Sequence, residues 1–386
     1  MPPRDEGAAL WRLGFRPFYL LASVFAALSV PLWAVQYAGW LPRPYLEGPL
    51  WHAHEMLFGF AFAVVAGFLL TAVRNWTGRP TPTGAWLAAL AALWVAGRVL
   101  VLTPFGAMAA VANAAFPVAV AIAIGIPLVR SGNRRNYFFI AVLLIIAFAI
   151  LTVHLALLGV ITLPARLGIG VALDVLLFIM AVMAGRVVPM FTNNGVPGAH
   201  ARRQSLLEKI ALGGIVVLIA ADLLQATGPA LVALLMALAL VHSVRLTLWQ
   251  PWKTLRVPMV WVLHVAYLWI PVHLALRALV EMNIVAAPLA THALTLGAIG
   301  GLTLGMMTRT ARGHTGHLLA SDRFEVACYV LVLAAAIVRV GGPLLVPHAY
   351  VATVMCSALL WSAAYGIYAV RYWPLLTRPR IDGKPG

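Results

Sequence analysis

Runs of about twenty apolar residues, the length that carries an α-helix across a bilayer core, recur twelve times along this chain and restrict its fold more than any other feature. They fall near 17–40, 50–73, 85–103, 107–129, 137–160, 167–191, 206–224, 229–249, 258–280, 286–308, 324–340 and 348–372. Inside lipid each backbone N–H and C=O must find its partner within the span, so these runs predict helices. The loops between them are short, which leaves no room for a separate soluble domain within residues 1–386. The expected fold is all-α, a single polytopic membrane domain of about twelve transmembrane helices. Composition agrees: 10% of the residues are charged, against roughly a quarter in a soluble domain. Trp11 to Phe15 leads straight into the first span with no small-residue cleavage site, so that span is read as retained.

The cationic residues set an orientation. With a cytoplasmic N-terminus, the inner segments hold Arg4, Arg12 and Arg16, Arg74 and Arg79, and Arg130, Arg134 and Arg135. They also hold Arg202, Arg203 and Lys209, Arg245, Lys253 and Arg256, Arg309, Arg312 and Arg323, and Arg371, Arg378, Arg380 and Lys384. The outer side keeps only Arg43 and Arg166. This is the positive-inside pattern, with both termini in the cytoplasm. The net charge of +16 is then a topology signal with anionic headgroups as counterions. It does not mark a nucleic-acid partner, since no soluble basic face exists. Cys328 and Cys356 form no CxxC or CxxCH, so covalent haem attachment and thiolate metal sites are not expected.

Ionisable side chains at bilayer depth are costly and mark function, and 11 histidines are too many to be incidental. His52, His54, His154, His273, His292 and His348 fall in the outer half, while His200, His242, His264, His314 and His317 fall on the inner side. Imidazoles gathered in a membrane protein have one leading use, the ligation of haem iron or copper. The bland alternative, a ring bonded to a carbonyl or lying at the wet interface, is the better reading for His154, His200, His317 and His348. In Trp51-His52-Ala53-His54-Glu55-Met56 the functional reading is stronger. His52 and His54 lie about 200° apart on an ideal helix, so they serve different centres unless the first turn is irregular. Glu55, three residues beyond His52, is placed to orient that ring as an acceptor.

Gly297, Gly301 and Gly305 form a smooth helix face that a neighbouring helix or a flat macrocycle can approach, with plain helix packing the stronger reading. Gly59, Ala63 and Gly67 repeat the idea. Asp174 and Arg186 sit about 18 Å apart along one helix and are not a pair. Arg98, Arg186 and Arg277 are candidates to hold a haem propionate.

The stretch His52-Ala53-His54-Glu55-Met56-Leu57-Phe58-Gly59-Phe60, running to Gly67-Phe68-Leu69-Leu70-Thr71-Ala72-Val73-Arg74-Asn75-Trp76-Thr77-Gly78, resembles the signature of the NnrS family. Gly185-Arg186-Val187-Val188-Pro189-Met190-Phe191-Thr192 is similar to a second family segment, as are His292-Ala293-Leu294 through Met306-Met307-Thr308-Arg309 to Gly313-His314-Thr315-Gly316. The resemblance covers nearly the whole chain. It implies a bacterial inner-membrane protein containing haem b and copper, tied to nitric oxide metabolism and nitrosative stress. Carried over by position, His52 and Glu55 are the catalytic candidates. His54, His264, His292, His314 and Arg186 would hold the cofactor, with His52, His54, His264, His292 and His314 as metal ligands. His154, His242 and His273 match more weakly. The implied partners are nitric oxide, quinol or another membrane electron donor, and the lipid bilayer. Related endings of helices two, six and ten would fit a pseudo-threefold plan like that of the catalytic subunit of haem–copper oxidases. Three functions stay open: nitric oxide reduction, nitric oxide binding or sensing without turnover, and transport of copper or a small solute through Met56, Met190, Met306, Met307 and histidines.

Overall fold

The structure is a computed structural model that describes residues 9–37, 39–40 and 45–384; Arg4 and Arg43 of the charge pattern lie outside the described residues. Among the described residues twelve helical rods follow one another, at the places where the apolar runs predict them. They are α1 Phe15–Tyr37, α2 Gly48–Thr77, α3 Gly84–Leu100, α4 Gly106–Arg130, α5 Phe138–Leu157 and α6 Ala165–Gly195. The rest are α7 Ser205–Leu223, α8 Pro229–Leu248, α9 Pro258–Glu281, α10 Ala287–His314, α11 Arg323–Leu345 and α12 Tyr350–Thr377. Among the described residues, 10 helices are long and apolar enough to cross a membrane. The other two are α3, with 17 residues, and α7, which carries Glu208, Lys209 and Asp222.

The outer faces are apolar. On α4 the large apolar side chains that are exposed are Met108, Val111, Val118, Ile122, Ile126 and Val129, three, four or seven residues apart, while Ala109, Phe116, Val120, Ile124 and Leu128 are buried. A helix facing water would show the reverse chemistry on its outer stripe. An apolar stripe outside and an apolar stripe inside mean that lipid is the solvent. The protein is a multi-pass membrane protein.

The rods start and stop for local reasons. Pro49 sits in the first turn of α2, where its missing N–H would be unbonded in any case. Gly78 ends that rod in the left-handed region at φ +64°, a conformation glycine adopts without steric penalty. Asp322 caps α11 in a reciprocal box: its side chain accepts from the Phe324 and Glu325 amides, and Glu325 accepts from the Asp322 amide. Such a cap contributes about 1 kcal/mol. The buried Arg16 donates through Nη1 to the carbonyls of Leu376 (3.0 Å) and Arg378 (2.8 Å) at the end of α12, bonds that the helix itself cannot make.

Contacts divide the chain into two compact units, residues 1–172, 310–318 and 368–386 in one, residues 173–309 and 319–367 in the other. In the first, α2 packs against α1 and α4, and α4 also packs against α3 and α5. In the second, α8 packs against α7 and α9, and α10 against α9 and α11.

Among the described residues, two of these rods contain a stretch that is not α-helical. Glu55–Ala61 in α2 and Ala293–Gly300 in α10 are π-helical, with hydrogen bonds that reach one residue further than in an α-helix. Each begins on the residue after a motif histidine, His54 in one case and His292 in the other. π-Turns inside α-helices occur often at functional sites.

Candidate functional site

His54 occupies the last α-helical turn before the π stretch of α2 and is completely buried. Its Nδ1 lies 2.7 Å from Glu55 Oε1, and the same oxygen accepts from Arg98 Nη1 at 2.5 Å. Arg98 reaches in from the last turn of α3, and its Nη2 donates to Asn113 Oδ1 on α4. Asn113 is fixed in turn, donating through Nδ2 to the carbonyls of Ala109 (2.8 Å) and Gly97 (3.3 Å). The guanidinium also lies over Trp94, whose Nε1 donates to the Gly59 carbonyl at 3.0 Å.

On the other side of the ring, His54 Nε2 is 3.2 Å from Nε2 of His154, near the end of α5. The two rings are nearly perpendicular, at 81°. His154 stacks on Tyr45, with centroids 5.7 Å apart and planes 10° apart. The Tyr45 hydroxyl is 3.0 Å from the His154 carbonyl and 3.3 Å from its Nδ1. An unbroken polar chain therefore runs Asn113–Arg98–Glu55–His54–His154–Tyr45 through an apolar interior. It draws on the N-terminal ends of α2 and α4 and the C-terminal ends of α3 and α5, so these helices alternate in direction.

The protonation pattern follows from donor and acceptor chemistry. A Glu55 carboxylate beside a guanidinium can only accept, so His54 Nδ1 carries the proton and Nε2 the lone pair. Glu55 and Arg98 cancel as charges, which a site at this depth requires. Burial pushes the Tyr45 phenol up to about 12, so its hydroxyl remains a donor across the physiological range.

Several sequence expectations change in the structure. Glu55 serves His54 and Arg98 instead of the His52 ring that its spacing pointed to, since the backbone widens into a π-turn at Glu55 itself. His52 packs on Trp33, with ring centroids 5.4 Å apart. Arg98 and Arg277 are compensated by the chain's own carboxylates, which leaves no uncompensated charge for a propionate. Arg277 Nη2 donates to both oxygens of Asp222 at 2.7 and 2.9 Å, with Asp174 3.4 Å from Nη1. Arg186 is half-buried on α6. The glycine face of α10 is filled by α9: Gly297 lies against Trp269, Gly301 against Ala266 and Gly305 against Leu263. A macrocycle has no room on that face, and helix packing accounts for its glycines.

The second unit holds further buried imidazoles. The Thr192 hydroxyl donates to the Val188 carbonyl (2.8 Å) and so accepts from His264 Nε2 (2.8 Å), which puts a lone pair on His264 Nδ1, buried without a hydrogen bond. His273 Nδ1 donates to the Ala290 carbonyl at 2.7 Å, leaving Nε2 in the same condition. The half-buried His292 also donates from Nδ1, to the Pro288 carbonyl at 2.7 Å. His242 is the reverse. Arg245 donates to the Tyr267 hydroxyl (2.8 Å), so the hydroxyl proton points to His242 Nδ1 (2.6 Å). Glu208 closes that network with two bonds to Arg245, each 2.7 Å. His314 belongs by its contacts to the first unit and packs against Phe15, centroids 5.5 Å apart. Among the described residues, no three His, Cys, Asp or Glu side chains gather as they would around a metal ion.

His154, named as a weaker family match, and Arg98, named as a propionate candidate, join the site from helices remote in sequence, and Asn113, which only its polarity within an apolar span could have flagged, joins them. These features define a polytopic all-α membrane protein with a buried histidine–carboxylate–guanidinium chain at the head of its second helix. The chain belongs to the NnrS family, whose model, described as NnrS protein, matches residues 9–380. That family is associated with the response to nitric oxide. No curated protein matches the chain significantly.

Proposed function

We propose that this protein binds nitric oxide within the membrane at metal centres held by its buried histidines, haem b with copper nearby, and reduces it with electrons from quinol or another membrane donor. One observation carries the reading. His54, His264 and His273 are buried with one ring nitrogen held by a carboxylate, hydroxyl or carbonyl, which puts the lone pair on the other nitrogen, and the half-buried His292 is held through Nδ1 in the same manner. A metal-ligating histidine is held in this way, its outer hydrogen bond fixing tautomer and orientation. His242, whose Nδ1 accepts from Tyr267, lacks the pattern and is left out.

A reduced iron or copper ion bound by imidazole supplies the electron density that holds a diatomic such as nitric oxide. The residues do the rest. Glu55 keeps His54 in one tautomer, Arg98 balances the carboxylate, and the apolar walls exclude water. The donor sets suit imidazole-seeking metals and not the oxygen-seeking magnesium or calcium. His54 would hold such a group through Nε2, His264 through Nδ1 and His273 through Nε2.

Metal analysis and reduced-minus-oxidised absorption of the purified protein test the reading, followed by addition of nitric oxide under anaerobic conditions. Haem and copper in near-stoichiometric amounts, with bands displaced by nitric oxide, are expected. Protein that folds without either metal and does not respond to nitric oxide overturns it.

A further inference from the structure

We propose that Asp174 and Asp222, gathered on Arg277 in the second unit, bind one exchangeable proton between them and form a port through which protons enter from the aqueous face where α7 and α9 end. Use of that proton in nitric oxide reduction rests on the proposed function, whereas the proton-binding site stands by itself.

Charge counting places the proton. Arg277, one turn from the end of α9, donates through Nη2 to both oxygens of Asp222 at 2.7 and 2.9 Å. Its Nη1 lies 3.4 Å from Asp174 Oδ1 on α6. The two carboxyl groups are also within hydrogen-bonding reach of one another. Two carboxylates around one guanidinium leave one negative charge over. The bidentate bond makes Asp222 the ion-pair partner of Arg277, so the surplus falls on Asp174, whose side chain is 8% exposed. An unpaired carboxylate in an apolar interior is costly. A proton shared between the two acids removes that charge and their mutual repulsion.

Among the described residues, the other ionisable groups at this end leave the surplus in place. Glu281 on α9 adds a negative charge and accepts from the Gly228 amide at 2.6 Å, at the head of α8. His273 on α9 is neutral, donating from Nδ1 to the Ala290 carbonyl, and the half-buried His292 of α10 donates to Pro288. Arg166 is exposed, about two turns before Asp174 on α6. A hard metal cation drawn to the same charge would take about six oxygen ligands. Both oxygens of Asp222 already accept from Arg277, which leaves a proton as the ion that fits.

Exposure gives the pair a direction. Asp222 and Arg277 are 25% and 23% exposed, against 8% for Asp174. A proton taken from water by Asp222 therefore passes inward to Asp174 within one hydrogen bond. His273, a metal-holding residue of the proposed function, lies one turn deeper on α9 and is buried. Reduction of two nitric oxide molecules to nitrous oxide and water takes two electrons and two protons. The membrane donor supplies the electrons, and the protons need a polar entry into an otherwise apolar unit. The positive-inside pattern puts this entry on the outer face.

The test uses the full chain, in detergent and then in proteoliposomes. A protonated carboxyl group has an infrared C=O band apart from the carboxylate bands, and the band shifts in D2O when the proton exchanges. Wild-type protein near neutral pH should show this exchangeable band. Asp174→Asn and Asp222→Asn should each abolish it, because one carboxylate then balances Arg277. Glu281→Gln should keep it, and sodium in place of potassium at fixed pH should leave it unchanged. In proteoliposomes supplied with quinol and nitric oxide, Asp174→Asn should slow reduction about 100-fold, the lower end of what a positioned proton-transferring group contributes. Haem content and the nitric oxide-bound spectrum should not change, and Asp174→Glu, which keeps an acid, should recover most of the rate. A wild type without the band, a band that survives either Asn variant, or one displaced by sodium overturns the proton site. Asn variants that reduce nitric oxide at the wild-type rate overturn the port. Where an Asn variant does not fold, Asp174→Glu decides: it keeps the acid in altered surroundings, and a band that does not move overturns the proposal. A band that behaves as expected in a protein that does not reduce nitric oxide defeats the proposed function and leaves the proton site standing.

Discussion

Glu55 and Arg98 form an ion pair whose members are almost wholly enclosed, which makes either one alone a liability. Removing one partner of a buried pair leaves an unsolvated charge, a loss of about 3–5 kcal/mol. Glu55→Gln should therefore lower the thermal midpoint of the detergent-solubilised protein sharply. Adding Arg98→Met should restore most of the loss. A double variant as unstable as the single would show that the charge pairing is not what matters. Ligand identity is tested at the same scale: His54→Ala and His292→Ala should each change haem content or the reduced spectrum in membranes at matched protein levels. If both leave it unchanged, neither residue is an axial ligand. The sequence motif pointed to His54 and Glu55 because those two are adjacent. It could not tell that His154, a weaker match on a distant span, would meet His54, nor that Glu55 would turn to His54 instead of His52. Those relations are set by the packing of α2 against α4 and of α4 against α3 and α5.

Elements carry a different kind of information. Twelve rods were legible because hydropathy acts over the length of a whole span and needs no tertiary partner. The π stretches at Glu55–Ala61 and Ala293–Gly300 were not, since an inserted residue is held by the neighbours that accept its side chains. The two rods that share this device carry His52, His54, His292 and His314, whereas α9, which carries His264, and α6, which ends in a related sequence, are α-helical throughout. Glycine positions give a direct test of the helix contacts. A methyl group at Gly297 would overlap Trp269 of α9, so Gly297→Ala should destabilise by about 1–3 kcal/mol through overpacking. Gly170 on α6 meets nothing within 4 Å, and Gly170→Ala should leave stability unchanged or raise it by about 0.5–1 kcal/mol. Thermal unfolding of the two variants side by side reads the contrast, and equal effects would contradict the packing described for α10.

At the scale of the whole molecule the open quantity is the number of crossings, because α3 and α7 fall short of the length or composition of the other ten. The polar contacts argue that both cross. Arg98 at the C-terminal end of α3 meets Glu55 near the N-terminal end of α2 and Asn113 near the start of α4, so α3 runs antiparallel to both. Its 17 residues span about 25 Å, a shortfall that local thinning of the bilayer can absorb. The charges of α7 sit only near its ends, Glu208 bonded to Arg245 at the C-terminal end of α8 and Asp222 to Arg277 at the C-terminal end of α9. Since α8 and α9 are consecutive antiparallel rods, those two ends lie on opposite faces. With twelve crossings and the positive-inside rule, reporter fusions after residues 45, 165 and 345 should be periplasmic and those after 132, 200 and 380 cytoplasmic. If α3 and α7 instead lay within one leaflet, the segment between them would invert. Fusions at 132, 165 and 200 would then all switch sides while 45, 345 and 380 stayed as they were. A cytoplasmic reading at 45 has a different meaning: it would turn the whole protein over and put the His54 chain at the cytoplasmic face.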